Sequence, residues 1–350
     1  MIALDALGGW SAIIGRIASG AALSADDAAT TMRALLAGEA TPAQVAAVLI
    51  GLKTRGETPD EVAGMLQAVL DAATRVDLPA DVARRTIDIV GTGGDASHSV
   101  NISTMAALVV AGAGVPVCKH GNRAASSKCG TADVLEVLGV AIESDPQTVV
   151  RCVERAGMGF CFAPSFHPAF RHVGAIRREL GVPTVFNVLG PLANPAPIAY
   201  MVLGVRSAGL APVMGRALVE RGIRRAWIVH GHGGLDELGL GGPNHVVEVH
   251  AGGTREFSLD AADVGFARAD VAALRGGDPA ANAAVVRDVL DGADGPIRDV
   301  VVLNAAAALV VAEAASDLAQ ARARAEQSID SGAARRALAA CVAVSNEQIA

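Results

Sequence analysis

Hydrophobic positions in the first eighty residues recur with helical spacing. Val45, Val48, Leu49 and Leu52 fall at i, i+3, i+4 and i+7, and Val62, Met65, Leu66 and Val69 repeat the pattern. Each run has a start signal. Thr41-Pro42-Ala43-Gln44 and Thr58-Pro59-Asp60-Glu61 place a capping hydroxyl, a proline at the first helical position, and Gln or Glu three residues after the cap. Ser24 opens a further helix carrying Met32, Leu35 and Leu36. No strand pattern occurs here, so residues 1–85 are predicted to form a small all-helical domain.

The pattern changes at residue 86. Thr86–Val90 is a short β-branched run, followed by a glycine-rich turn and an Ala-rich helix from about Ser103. Val115–Lys119 reads as a second strand, with a polar loop and a helix from about Thr131 after it. Further strands are expected at Met201–Val205, Ala226–His230 and His245–Val249, and the stretch from Val300 reads as helical. Alternation of this kind predicts a larger α/β domain over 86–350 with a mostly parallel central sheet. No sequence repeat, low-complexity tract or long linker interrupts it.

Composition narrows the class. The chain has 350 residues, 51% hydrophobic but only 3% aromatic, which suits closely packed helix–sheet layers. Lys+Arg 29 against Asp+Glu 36 gives a net charge of −7, unfavourable for general nucleic-acid or anionic-membrane binding. The uncharged stretches 102–118 and 181–205 are broken by Gly, Pro and Asn, so neither reads as a membrane span. Cysteines at 118, 129, 152, 161 and 341 form no CxxC pair, and residues 1–20 lack a basic segment followed by an apolar one. These features predict a reduced, cytoplasmic, globular protein.

Against that acidic background, four segments carry candidate chemistry. Gly91-Thr92-Gly93-Gly94-Asp95 follows a strand, and Asn101-Ile102-Ser103-Thr104 opens the next helix, offering amides and hydroxyls to phosphate oxygens. The glycine run alone is weak, because it has neither dinucleotide-fold nor P-loop spacing. Lys119 through Ser127 (KHGNRAASS) concentrates two cations, a His, an Asn and two Ser after the second strand. In a parallel sheet both loops open on one edge, and together they favour an anion site over a merely solvated loop. Asp236-Glu237 suggests a magnesium anchor beside phosphate, although such a pair in isolation is more often solvated. Arg177 could hold a carboxylate through its bidentate fork, or simply cap a helix end. His230 and His232 lack a third ligand, and His167 and His172 read as structural.

Taken together, these segments resemble the anthranilate phosphoribosyltransferase family. The matching pieces are GTGGD at 91–95, VNIST at 100–104, KHGNRAASS at 119–127, ADVLEVLG at 132–139, the run 160–195, GLDEL at 234–238 and VVLNAAAAL at 301–309. The resemblance covers nearly the whole chain. It implies transfer of the phosphoribosyl group of 5-phosphoribosyl 1-pyrophosphate (PRPP) to the amine of anthranilate, with Mg²⁺, in a homodimer. It further implies that a middle segment near 176–200 joins the helical domain.

By position, the resemblance implies PRPP contacts from Gly91, Gly94, Asp95, Ser99, Asn101, Ile102, Ser103, Thr104 and Thr131. Lys119, His120, Gly121, Asn122, Arg123, Ala124, Ala125, Ser126 and Ser127 complete that set. Ser103, Asp236 and Glu237 would hold Mg²⁺. Gly91, His120, Asn122, Arg177 and Pro191 would line the anthranilate path, with Lys119, Asn122 and Arg177 expected to carry catalysis. The chain departs from the family at Ser99, where Thr is common, and at Gly233, where an acidic residue is common. The competing readings are a phosphoribosyltransferase for another aromatic amine, a pyrimidine-nucleoside phosphorylase-like enzyme, and a silent phosphoribosyl-ligand binder.

Overall fold

The structure, a computed structural model, describes residues 4–124, 128–251 and 253–347. The capping motifs start their helices where the sequence places them. Thr41 Oγ1 accepts from the Gln44 N–H while Gln44 returns the bond to the Thr41 N–H, opening the helix Pro42–Arg55. Thr58 and Glu61 do the same for Pro59–Asp71, and Ser24 caps Ala25–Ala37. Each such cap is worth about 1 kcal/mol. The predicted apolar positions are all buried, so these helices, with Gly9–Ala18, pack into a bundle.

Seven strands form one sheet: β1 Ile87–Gly91, β2 Val117–Gly121, β3 Met158–Phe162, β4 Tyr200–Gly204, β5 Arg225–His230, β6 Pro243–His250 and β7 Gly253–Asp260. Their spatial order is β3-β2-β1-β4-β5-β6-β7, parallel through β5 and antiparallel beyond it. The expected class, a small helical unit with a larger α/β unit around a mostly parallel sheet, is the one found. Alternation along the strands divides the core between two faces. Ile87, Ile89, Val202 and Trp227 face the helices Ile102–Gly112 and Pro296–Val311. Cys118, Met201, Leu203 and Ile228 share the other core with the N-terminal helices. Burial on both faces is the usual condition of a parallel sheet.

Three details differ from the sequence reading. β2 starts at Val117 and runs to Gly121, so His120 joins Lys119 in the strand, with Cys161 and Phe160 as their register partners. Pro116 cannot donate a ladder bond, and only its carbonyl is used, by the Ile87 N–H. β3 and β7 were not expected. β3 is a five-residue apolar run, too short for periodicity to separate from buried helix, and β7 is a charged edge strand defined by its pairing with β6.

The helix Arg171–Leu180 packs on Ala25–Ala37 and Pro42–Arg55, and the helix Val185–Leu192 packs on Pro59–Asp71. The chain between β3 and β4 thus returns to the N-terminal bundle before rejoining the sheet. No helix among the described residues is long and apolar enough to cross a membrane, and all five cysteines are buried.

Candidate active site

The sheet's strand order reverses direction at β1, which has β2 on one side and β4 on the other. Ligands of open parallel sheets bind beyond the carboxyl ends of strands at such a switch point. The loops after β1, β2, β4 and β5 all leave from this rim. Gly91 and Gly204 are register partners at the ends of β1 and β4, and both make room for Asp236. A β-carbon on Gly91 would lie 2.3 Å from Asp236 Oδ2. Space, rather than backbone freedom, is what requires glycine there.

Asp236 sits in the 231–242 connection between β5 and β6, tied down by two buried asparagines. Asn244 Oδ1 accepts from the N–H groups of His232 (3.0 Å) and Gly239 (2.7 Å), while Asn304 exchanges hydrogen bonds with both backbone groups of Leu238. So held, Asp236 Oδ2 accepts from the Gly93 N–H at 2.6 Å, which brings the glycine loop to the acidic turn. Carboxylate oxygens of Asp95, Asp236 and Glu237 all lie within 4.8 Å of one another. Burial, reinforced by Asp95, pushes Asp236 up to about 6, and burial with the neighbouring Asp236 charge pushes Glu237 well above the carboxylate range. Glu237 Oε2 is buried with no hydrogen-bond partner among the described residues. Three crowded carboxylates with an unused oxygen fit a divalent cation of the Mg²⁺ type, which takes one or two such groups plus phosphate and water. Asp95, which the resemblance implies among the PRPP contacts, is the third carboxylate of this cluster.

Lys119 lies beside the cluster. It is 1% exposed, and its Nζ donates to the Ile89 carbonyl and, at 3.2 Å, to Ser103 Oγ. Burial lowers its pKa, while Asp88, Glu237 and Asp236 oppose the shift. Ser103 and Thr104 stand in the first turn of Ile102–Gly112, and the Thr104 and Thr131 hydroxyls meet at 3.4 Å. Ile102 turns its side chain into the core, leaving only backbone for a ligand. Asn101 bridges the Cys129 carbonyl and the Asn282 amide. Between them the loop is held by Asp95 and Ser97 turns, with Ser97 N–H on Asp95 Oδ1 and Ser99 N–H on Ser97 Oγ. Ala96 and His98 adopt positive φ (60° and 53°). Conformations of that kind cost about 1–3 kcal/mol each and concentrate at ligand sites.

The loop after β2 is braced to the next helix, Thr131–Val137. Arg123 is held by Asp133 (3.1 Å) and Glu136 (2.8 and 3.0 Å), so its guanidinium is already taken up rather than aimed at an open anion site. Asp133 also accepts from the N–H groups of Ala124 and Gly130. Asn122 Oδ1 accepts from the Arg123 N–H at 2.8 Å. Ala125, Ser126 and Ser127 lie outside the described residues.

On the opposite side of Lys119 a chain of rings leads to Arg177. His120 meets His167 edge-on at 5.1 Å between centroids, His167 stacks on Phe170 at 4.9 Å, and Phe170 meets Phe186 at 5.3 Å. Arg177 Cζ lies 4.7 Å above the Phe186 ring. Burial lowers the Arg177 pKa, and no carboxylate pairs with it among the described residues. Pro191 is buried in Val185–Leu192. His120 Nε2 is buried and unpartnered among the described residues. Burial holds His120 well below the usual histidine range and His167 at about 4, so both rings are neutral at pH 7.

One supporting group has almost no signal in the sequence. Asn194, fully buried, donates from Nδ2 to Asp88 Oδ2 and to the Cys118 carbonyl, both at 2.8 Å, while Arg221 donates to the Leu192, Asn194 and Ala196 carbonyls. These contacts pin the chain after Val185–Leu192 to the middle of the sheet. The one local hint is a lone Asp in the apolar strand 87–90. The structural reading of His167 holds in part: its Nε2 bonds the Ala193 carbonyl at 2.9 Å, yet the ring also extends the path from His120. Gly233 has φ of 79°, and a β-carbon there would lie 2.6 Å from Val271, so an acidic side chain would be strained at this position.

Known proteins match this arrangement along almost the full chain. The helical bundle domain of the glycosyl transferase family matches residues 11–73, and the a/b domain of that family matches residues 83–335. The anthranilate phosphoribosyltransferase of Salinispora arenicola (strain CNS-205) is 52% identical over 334 residues, 94% of this chain and 94% of the relative. The crystal structure of the anthranilate phosphoribosyltransferase from Thermus thermophilus is similar at a TM-score of 0.90 and 45% identity, covering 96% of this chain and 99% of that one. The Saccharomyces cerevisiae anthranilate phosphoribosyltransferase in complex with PRPP and Mg is similar at a TM-score of 0.88 and 30% identity, covering 96% and 97%. A second structure of the yeast protein, at 0.85 and 29%, holds 4-fluoroanthranilate, with 97% and 99% covered. With both the bundle and the α/β unit matched, and half the residues identical over nearly the whole length, this chain belongs to the anthranilate phosphoribosyltransferase family.

Proposed function

We propose that this protein transfers the phosphoribosyl group of PRPP to the amine of anthranilate, releasing diphosphate, as a step of tryptophan biosynthesis. The observation that carries this reading is one juxtaposition. A carboxylate cluster with a buried lysine stands at one end of a ring-lined path, and an arginine seated on Phe186, with no carboxylate partner among the described residues, stands at the other. The first end suits a magnesium diphosphate and the second a benzoate-type carboxylate.

Asp236 and Glu237, with Asp95 and Ser103 beside them, are the residues to hold Mg²⁺; when bound, the ion neutralises charge growing on the departing diphosphate. Lys119 supplies a positive charge from the middle of β2, and the amides of the glycine loop and of the 102–104 helix start supply directed donors. A preorganised donor of this kind is worth about 2.7–4 kcal/mol of barrier. Arg177 orients the acceptor carboxylate, so that the amine faces the anomeric carbon. An aromatic amine is neutral near pH 7 and needs no strong base. The neutral His120 and His167 rings suit that requirement, because they add no charge to the acceptor path.

We further read the chain as a cytoplasmic homodimer. We divide it into a helical unit of residues 1–85 joined by the segment near 176–200, and a catalytic unit of 86–350. Packing of Arg171–Leu180 and Val185–Leu192 on the N-terminal bundle supports that division.

Anthranilate fluorescence tests the function directly. Adding PRPP and Mg²⁺ is expected to abolish it with stoichiometric diphosphate release, and EDTA to prevent the loss. Unchanged fluorescence with PRPP still bound by calorimetry would reassign the acceptor, and absence of both binding and turnover would overturn the reading.

A further inference from the structure

Arg206 stands two residues beyond the end of β4, on the same rim as the glycine loop, and no segment singled out from the sequence contains it. It is laced to that loop: its N–H donates to Thr92 Oγ1 at 3.2 Å, and the Thr92 N–H donates to the Gly204 carbonyl at 2.9 Å. The side chain reaches over Gly94, with Nη1 lying 3.6 Å from the position a β-carbon there would take. Next to it, a β-carbon on Gly93 would meet nothing within 4 Å, so the space above the loop is open. Among the described residues the Arg206 guanidinium has neither a carboxylate partner nor a backbone acceptor, although it is only partly exposed. Arg123, the arginine that the sequence motif offers for the same task, is occupied by Asp133 and Glu136.

We propose that Arg206 is a donor-binding residue that holds an oxygen of the diphosphate end of PRPP over Gly94. The inference deepens the function proposed above and rests on it. Two features favour the diphosphate end over the sugar phosphate. Gly93 is hydrogen-bonded to Asp236, and Gly94 immediately precedes Asp95, so the loop beneath Arg206 borders the carboxylate cluster on both sides. A phosphate shared with a cation held by that cluster would lie within reach of Arg206. A planar guanidinium, permanently charged and able to donate two parallel hydrogen bonds, suits a diphosphate oxygen pair better than an ammonium does. As the leaving group departs, its growing charge would meet this cation without any rearrangement of the loop.

Arg206→Gln and Arg206→Lys in the full-length protein test the assignment. Calorimetry with inorganic diphosphate and Mg²⁺ is expected to show affinity at least about tenfold weaker in Arg206→Gln, the range of one charge-assisted hydrogen bond, with partial recovery in Arg206→Lys. The KM for PRPP should rise by a similar factor while the KM for anthranilate and the melting temperature stay at wild-type values. Wild-type affinity of Arg206→Gln for both diphosphate and PRPP, in a protein whose parent turns over, would overturn the role of Arg206 alone. Equal weakening of PRPP and anthranilate with a lowered melting temperature would make the residue structural and overturn it as well. A parent that binds neither diphosphate nor PRPP would overturn the proposed function itself.

Discussion

A β-carbon on Gly204 would lie 1.3 Å from the carbonyl oxygen of Asp236, so the end of β4 is open only because the acidic turn needs that space. Gly204→Ala must therefore displace the 236–237 backbone. A misplacement of about 1 Å at reacting groups can cost roughly 100-fold in rate. We expect kcat/KM for PRPP to fall by that order and the magnesium optimum to shift, while far-ultraviolet circular dichroism stays native. Wild-type kinetics in that variant would show that the turn accommodates a methyl group and that its position is not critical.

Arg177 is a guanidinium stacked on Phe186 with no acidic partner among the described residues. Its loss should weaken the acceptor and leave the donor unaffected. Charge-assisted hydrogen bonds contribute about 1.5–3 kcal/mol, so Arg177→Ala should raise the anthranilate KM roughly 10- to 100-fold with the PRPP KM unchanged. Arg177→Lys should recover only part, since an ammonium lacks the two-pronged geometry. Initial-rate measurements with each substrate varied in turn decide between these outcomes.

Asp236 and Glu237 face the same volume as Asp95. Changing them together to Asn and Gln removes two ionisable ligands with little change in shape. The magnesium concentration for half-maximal rate should rise at least about tenfold, in line with loss of carboxylate ligands. The variant should also be no less stable than the parent when no metal is added, because burial already disfavours both charges. A magnesium titration and a thermal melt in EDTA examine the two halves separately.

His167 is 2% exposed, and burial holds its pKa at about 4. As pH falls through 6.5 the unfolded chain takes up this proton first, while the folded chain resists until about 4. Stability is therefore lost across that window, with a slope of about 1.4 kcal/mol per pH unit for one such group. His167→Gln keeps a donor for the Ala193 carbonyl but cannot titrate. Urea unfolding at pH 5, 6 and 7 should show a shallower decline than in the parent, and identical slopes would place the acid sensitivity elsewhere.

Local rules made much of this molecule readable in advance. Thr41–Gln44 and Thr58–Glu61 announce their helices because capping uses residues three positions apart. GTGGD and KHGNR point to a common rim because two parallel strands must share one. What stayed hidden depends on distant partners. Asp95 joins Asp236 across 141 positions, and Asn194 meets Asp88 across 106. The occupation of Arg123 by Asp133 and Glu136 is written as acidic spacing along the next helix, yet nothing local says which cation those acids will take. β3 was silent because five apolar residues carry no period.

The reversal of direction at β6 has a calorimetric consequence. Both ends of 231–242 leave from one rim, and Asn244 and Asn304 fasten its middle. The segment is thus ordered by the folding reaction itself, before any cation arrives. Its heat of magnesium uptake would then reflect only dehydration and coordination, and the accompanying heat-capacity change would be close to zero, in contrast to sites whose loops must fold around their ion.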